Sequence, residues 1–126
     1  MNVVDSSGWI EYFTDAAGAS FFAPAIEDIG VLVVPTIVLN EVLRKTLRDS
    51  GGDGARTVLA ALRQGRLVPL DEEIAESAAR IGLDLRLPLA DAIVLATARR
   101  EKATLWTQDA DFEGMPGVRF RRKAAR

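Results

Sequence analysis

The chain has 126 residues, 48% of them hydrophobic, enough for one well-packed domain and too few for two ordinary ones. It contains no cysteine and no histidine, which excludes disulfides, thiolate or imidazole metal sites and serine–histidine–aspartate hydrolysis, and leaves any catalysis to carboxylates, hydroxyls, Lys, Arg, Tyr or a metal held by oxygen. The formal net charge of −2 argues against a protein that coats nucleic acid with a generally basic surface.

The longest apolar runs, residues 31–34 and 92–98, are far below the roughly 20 residues of a membrane span. The N-terminus has no basic segment leading into a long apolar run, so a cytoplasmic protein without membrane contact is expected. Residues 2–5 read as a short β-strand closed by Asp5, and Trp9, Tyr12 and Phe13 follow in a helix-like stretch. Those three aromatics suit either the core or an apolar partner surface. Within residues 15–29, Phe21, Phe22, Ile26 and Ile29 fall at helical spacing, and residues 31–34 form a second β-rich run. Residues 35–47 place Val38, Leu39, Val42, Leu43, Thr46 and Leu47 on one broad apolar stripe with Glu41 on its flank, and Pro35 fits an early helical position.

The stretch Ser50-Gly51-Gly52-Asp53-Gly54 breaks this pattern; without a following Gly-Lys-Ser/Thr it is an inter-helix turn and not a phosphate-binding loop. Helical spacing resumes over residues 55–63, a third strand is predicted over 67–70, and further helices over 71–83 and 89–100, the last started by Pro88 and packing Ile93, Leu95 and Ala96 inward. Strands follow at 104–107 and 118–120. Residues 119–126 hold five of the sixteen basic side chains and no acid, a tail that either contacts phosphates or is merely solvated. Strands separated by helical crossovers imply an α/β fold, a central parallel sheet of four to five strands flanked by helices in a single domain over residues 1–126.

Four carboxylates stand at the edges of apolar runs: Asp5, Glu41, Asp91 and Asp109. In an open parallel sheet, ligands bind beyond the carboxyl ends of the strands where the strand order reverses. Asp5 ends the first strand, Asp109 follows the fourth, and Glu41 and Asp91 lie early in helices, so several elements deliver acids to one edge. The helix N-terminus favours ionised Asp91. Each acid also has a plainer role open to it: Asp5 as a helix cap, Glu41 as a partner of Lys45, Asp91 as a first-turn helix acid, Asp109 and Asp111 as turn residues. Together they suggest a site for a hard divalent cation, because carboxylates crowd out of water only when a cation offsets their charge. Phosphodiester hydrolysis is the chemistry such a site suits.

Asp5 after an N-terminal strand, Asn40-Glu41-Val42 in a helix, Leu-Ala-Asp-Ala-Ile-Val-Leu-Ala-Thr-Ala over residues 89–98 and Leu-Trp-Thr-Gln-Asp-Ala-Asp-Phe over 105–112 together resemble a PIN domain, most closely the single-domain VapC-type toxins of prokaryotic toxin–antitoxin pairs. The resemblance implies a PIN-like three-layer fold and a Mg2+- or Mn2+-dependent endoribonuclease with Asp5, Glu41, Asp91 and Asp109 as its acidic quartet. Asp5, Asp91 and Asp109 would be the main metal ligands and Glu41 would orient or deprotonate the nucleophile. Ser6 and Thr107 match hydroxyls that hold acids or metal-bound water, and Asp111 matches a supporting acid. The resemblance further implies an RNA substrate, a VapB-like antitoxin and a homodimer. Arg86, Arg99, Arg100, Arg121 and Arg122 are candidate RNA contacts at the rim. Two other readings remain open: a phospho-receiver-like regulatory domain, poorly matched because Asp5 is followed by Ser6-Ser7 and the fourth strand by Gln108-Asp109 without Lys, and a PIN-fold interaction module without catalysis.

Overall fold

The structure is a computed structural model that describes residues 1–123, so the last three residues of the basic tail lie outside the described residues. In chain order it runs β1 (Asn2–Val4), α1 (Ser6–Phe13), α2 (Ala19–Glu27), β2 (Leu32–Pro35), α3 (Thr36–Leu62), β3 (Arg66–Val68), α4 (Glu72–Leu85), α5 (Leu89–Arg100), β4 (Thr104–Thr107) and β5 (Val118–Phe120), with single 3-10 turns at Ile29–Val31 and Ala110–Phe112.

The five strands form one parallel sheet in the order β3-β2-β1-β4-β5. Successive residues of a strand face opposite sides of a sheet. Burial of all four residues of β2, and of Val3 with Val4 and Leu105 with Trp106, therefore means that helices cover both faces of its centre. The chain first winds outward from β1 through β2 to β3, then returns to the other side of β1 with β4. The order reverses between β1 and β4, and the crevice a doubly wound sheet opens for ligands lies there. A flavodoxin-like receiver has the order 2-1-3-4-5 instead, so this topology sets that reading aside.

Several boundaries differ from those expected from sequence. The second strand begins at Leu32 because residues 29–31 form a 3-10 turn, and the third occupies Arg66–Val68 because Asp71 is needed as the cap of α4, its carboxylate accepting the Ile74 N–H at 2.9 Å. Pro35 and Pro88 stand one residue before their helices, with φ of −61° and −56° and extended ψ of 137° and 158°. Pro35 is shared with β2, whose register reaches Val68, so its conformation serves the strand. The break expected at 50–54 is confined to Gly51, whose φ of 72° and ψ of −167° kink α3 into two helical lengths. A side chain there would be strained, which is why a glycine marks the bend.

Trp9 is fully buried and Tyr12 and Phe13 pack half-buried on the core, so these aromatics serve packing. Beside them, Gly8 lets α1 lie close against β1. A Cβ on it would stand 2.6 Å from Val4 Cγ1 and 2.7 Å from the Phe22 ring.

Candidate active site

Asp5 follows β1 directly and starts α1. Its backbone N–H still pairs with the Trp106 carbonyl of β4, at 3.2 Å, while its side chain caps the helix by accepting the Gly8 N–H at 3.0 Å. The capping role and the site role are thus the same geometry. Oδ1 also accepts the Ser7 hydroxyl at 2.9 Å, and Oδ2 accepts the hydroxyl of Thr107 at the end of β4. Asp5 is only 7% exposed. Burial pushes its carboxyl above the ordinary range and the Asp109 charge adds to this, while the three hydrogen bonds oppose it.

Thr107 is the hinge pin of the site. Its buried hydroxyl donates to Asp5 and accepts the N–H of Asp109 at 2.9 Å, so the exits of β1 and β4 are tied together at one oxygen. Asp109 in turn accepts the Asp111 N–H at 2.9 Å, closing the turn Ala110–Phe112. That turn aims Asp109 and Asp111 toward Asp91 in the first turn of α5. One carboxylate oxygen from each of Asp91, Asp109 and Asp111 lies within 4.8 Å of the others. The Asp91 carboxyl is pushed from 3.8 up to about 7, first by burial and then by the charge of Asp109, a hydrogen bond shared with it, and the charges of Asp111 and Asp5. The helix N-terminus, expected to keep Asp91 ionised, is outweighed by this crowding.

Glu41, on α3, lies close enough to Asp5 to feel its charge. Burial raises its carboxyl first and the Asp5 charge adds to the effect, while a hydrogen bond from Ser6 opposes both. The alternative partner, Lys45, is engaged one turn further on by Asp49 at 3.0 Å. All four expected acids therefore share one field, but the three carboxylates gathered most tightly are Asp91, Asp109 and Asp111. Asp5 spends its oxygens on hydroxyls and an amide, and Asp111 stands among the close set. The cap was legible in Asp5-Ser6-Ser7-Gly8, but Ser7 was not among the expected site residues; it is Ser7, next to the expected Ser6, whose hydroxyl donates to Asp5.

The basic candidates divide. Arg99 and Arg100 end the helix whose first turn carries Asp91, about 12 Å further along its axis at 1.5 Å per residue, and Arg100 is ion-paired with Asp71 and Glu101. They stand apart from the acids. Arg86 is the left-handed cap of α4, with φ of 56°. Arg121 is half-buried: its backbone N–H meets the Thr107 carbonyl at 3.0 Å, and its guanidinium donates to Gln108 Oε1 at 3.0 Å beside Glu11 at 3.9 Å. It braces the turn that carries Asp109. Arg122, exposed, lines a hollow together with Asp109 and is paired with Glu113 at 3.0 Å.

The PIN domain family profile matches residues 3–118. No curated protein sequence matches the chain. Among solved structures, a toxin–antitoxin complex from Klebsiella pneumoniae is 24% identical with a TM-score of 0.77, covering 94% of this chain and 95% of the other. The sarcin–ricin-loop-cleaving toxin VapC20 of Mycobacterium tuberculosis is 20% identical, TM-score 0.75, covering 92% and 95%. DNA-bound VapBC from Salmonella typhimurium is 14% identical, TM-score 0.75, covering 96% and 98%. At these identities the likeness speaks for the fold.

Proposed function

The chain belongs to the PIN domain family, and from that premise we propose that it is a divalent-metal-dependent endoribonuclease, the toxin of a toxin–antitoxin pair acting in the cytoplasm. The observation that carries this reading is the convergence of Asp91, Asp109 and Asp111 within 4.8 Å beside Asp5. Mg2+ or Mn2+ fits the donor set: only oxygen ligands are present, and opposite ligands of an ion with bonds of about 2.0–2.1 Å are about 4.2 Å apart, so small side-chain adjustments would close the carboxylates on it. Such an ion, held by Asp91, Asp109 and Asp111 with Asp5 directly or through water, supplies an acidified water and offsets charge growing on the phosphate.

The residues of the chain itself do the rest. Thr107, Ser7 and Gly8 fix the Asp5 carboxylate, and Thr107 keeps it in register with Asp109. Glu41, its carboxyl raised by burial and by the Asp5 charge, is the group suited to accept a proton from the attacking water. An acidic crevice of this kind also suits an inserted Arg or Lys from an antitoxin, and the complexes among the structural neighbours support such a partner. Leu83 and Leu89, 82% and 81% exposed where α4 gives way to α5, support a homodimer.

The test is to incubate purified protein with total RNA and, in parallel, with structured DNA, in Mg2+ or Mn2+, and to map the cut ends. Cleavage of RNA that disappears with EDTA and in Asp91→Asn is expected. An inert wild type with both metals would sink the reading and leave a PIN-fold interaction module.

A further inference from the structure

Beside the acids lies a hollow of about 500 Å3 that the catalytic reading does not use. Asp109 and Ser7 line it, so it adjoins the acidic site. Phe120, Glu113, Arg122 and Lys123 line it as well. We propose that this hollow is a nucleotide subsite for single-stranded RNA, in which a base next to the scissile phosphate stacks on Phe120 while the adjoining backbone phosphate is held by Arg122 and Lys123.

Phe120 is the first reason. It ends β5, an edge strand, opposite Thr107, and so stands at the same carboxyl edge as the site. Along β5 the faces alternate: Arg119 lies over the Trp106 ring at 4.5 Å, Val118 packs on the core, and Phe120 joins neither the core nor an aromatic partner among the described residues. A half-buried ring with an open face is a stacking platform, and base–aromatic stacking is tolerant of sequence because every base has a π-face.

Charge is the second. The carboxylates repel a polyanion until a cation is bound, whereas Arg122 and Lys123 attract it. The Arg122 pair with Glu113 is solvent-exposed and therefore weak, so a phosphate replaces it readily. Gln108 is the third. It is buried in the wall with its carbonyl oxygen already given to Arg121, and its amide nitrogen, without a hydrogen-bond partner among the described residues, is free to meet a base edge. The guanidinium of Arg121 fixes Gln108 in this lining through its carbonyl oxygen.

The choice of RNA rests on the ribonuclease reading, and the experiment separates the two. Binding of short, fluorescent single-stranded oligoribonucleotides is measured across a salt series in the Asp91→Asn background, which removes cleavage. Phe120→Leu, which keeps apolar volume but removes the ring, is expected to weaken binding by about tenfold with an unchanged salt slope, and Phe120→Tyr to bind like its parent. Replacing Arg122 and Lys123 with Gln is expected to lower the slope by about 0.7 for each phosphate no longer neutralised. Equal affinity of the Leu and Tyr variants overturns the subsite, as does an unchanged salt slope in the Gln double variant. A wild type that binds these oligonucleotides through Phe120 yet cuts no RNA overturns the nuclease reading instead.

Discussion

Thr107 donates its hydroxyl hydrogen to Asp5 across the junction of β1 and β4, and the same oxygen accepts the Asp109 N–H at 2.9 Å. Replacing it with Val would strand a buried carboxylate oxygen and an amide together, at a cost of about 1–3 kcal/mol. Because the hydroxyl also sets the spacing of two acids, Mn2+ affinity is expected to fall by about 10–100-fold, with Thr107→Ser restoring it. Calorimetric titration with Mn2+ and thermal melts check both; a Val variant that binds the ion like wild type would show that Thr107 only packs.

Asp91→Asn removes one charge from a crowded set. Without metal the variant should melt several degrees above wild type, since the repulsion from Asp109, Asp111 and Asp5 is relieved. Cleavage should drop by about 10²–10³-fold or more. The surface control Glu76→Gln should change neither the melt nor the rate. A cleavage rate equal to wild type in Asp91→Asn contradicts the site.

Metal-free stability should depend on pH in a defined direction. The folded-state Asp91 carboxyl lies near 7, above its ordinary 3.8, so the folded protein holds a proton that the unfolded chain releases. Stability is then greatest below about 4, falls as pH rises, and is fully lost from this group above about 7. Asp5 and Glu41, both raised, act with the same sign. Saturating Mg2+ should flatten the fall by taking the place of the proton. Melting temperatures in EDTA that rise through that window would refute the assignment.

Arginines that resemble one another in sequence should behave differently. Arg121→Gln should destabilise the fold by about 1–2 kcal/mol and loosen the turn bearing Asp109, because its guanidinium hydrogen-bonds to buried Gln108 beside the Glu11 carboxylate. Arg99→Gln should leave RNA affinity and its salt slope unchanged, as Arg99 ends α5 away from the acids. Denaturant melts and oligonucleotide titrations decide. A truncation after Phe120 mixes these effects, since it removes the brace and the phosphate-binding side chains at once.

Leu83 and Leu89 expose apolar side chains where α4 gives way to α5. If they form the homodimer surface, Leu83→Glu with Leu89→Glu should convert a dimer to a monomer in light scattering without lowering the melting temperature of the monomer. A wild type that is monomeric at micromolar concentration removes the motive for the experiment and the dimer with it.

Much of the fold was legible because strand and helix periods are local properties. The runs 104–107 and 118–120 and the helix 89–100 were placed to the residue, since apolar spacing and a preceding Pro88 mark them without help from distant parts of the chain. The strands at 31–34 and 67–70 were displaced by one or two residues: a 3-10 turn and the Asp71 cap claim positions that β-propensity alone would assign to a strand.

The amino-acid sequence by itself determined the donor chemistry. With no histidine or cysteine, a metal here can meet only oxygen, and acids at the ends of apolar runs fall at one edge of any parallel sheet those runs build. What tertiary structure decided was which acids meet. The order β3-β2-β1-β4-β5 sets β4 against β1, so one threonine hydroxyl binds Asp5 to the Asp109 turn, and the turn in turn brings Asp111 to Asp91. It also separated Arg121, folded inward as a brace, from Arg122 beside the hollow. Spacing along a chain fixes what a residue can donate, but distances of a few ångströms between strands far apart in sequence fix what it donates to.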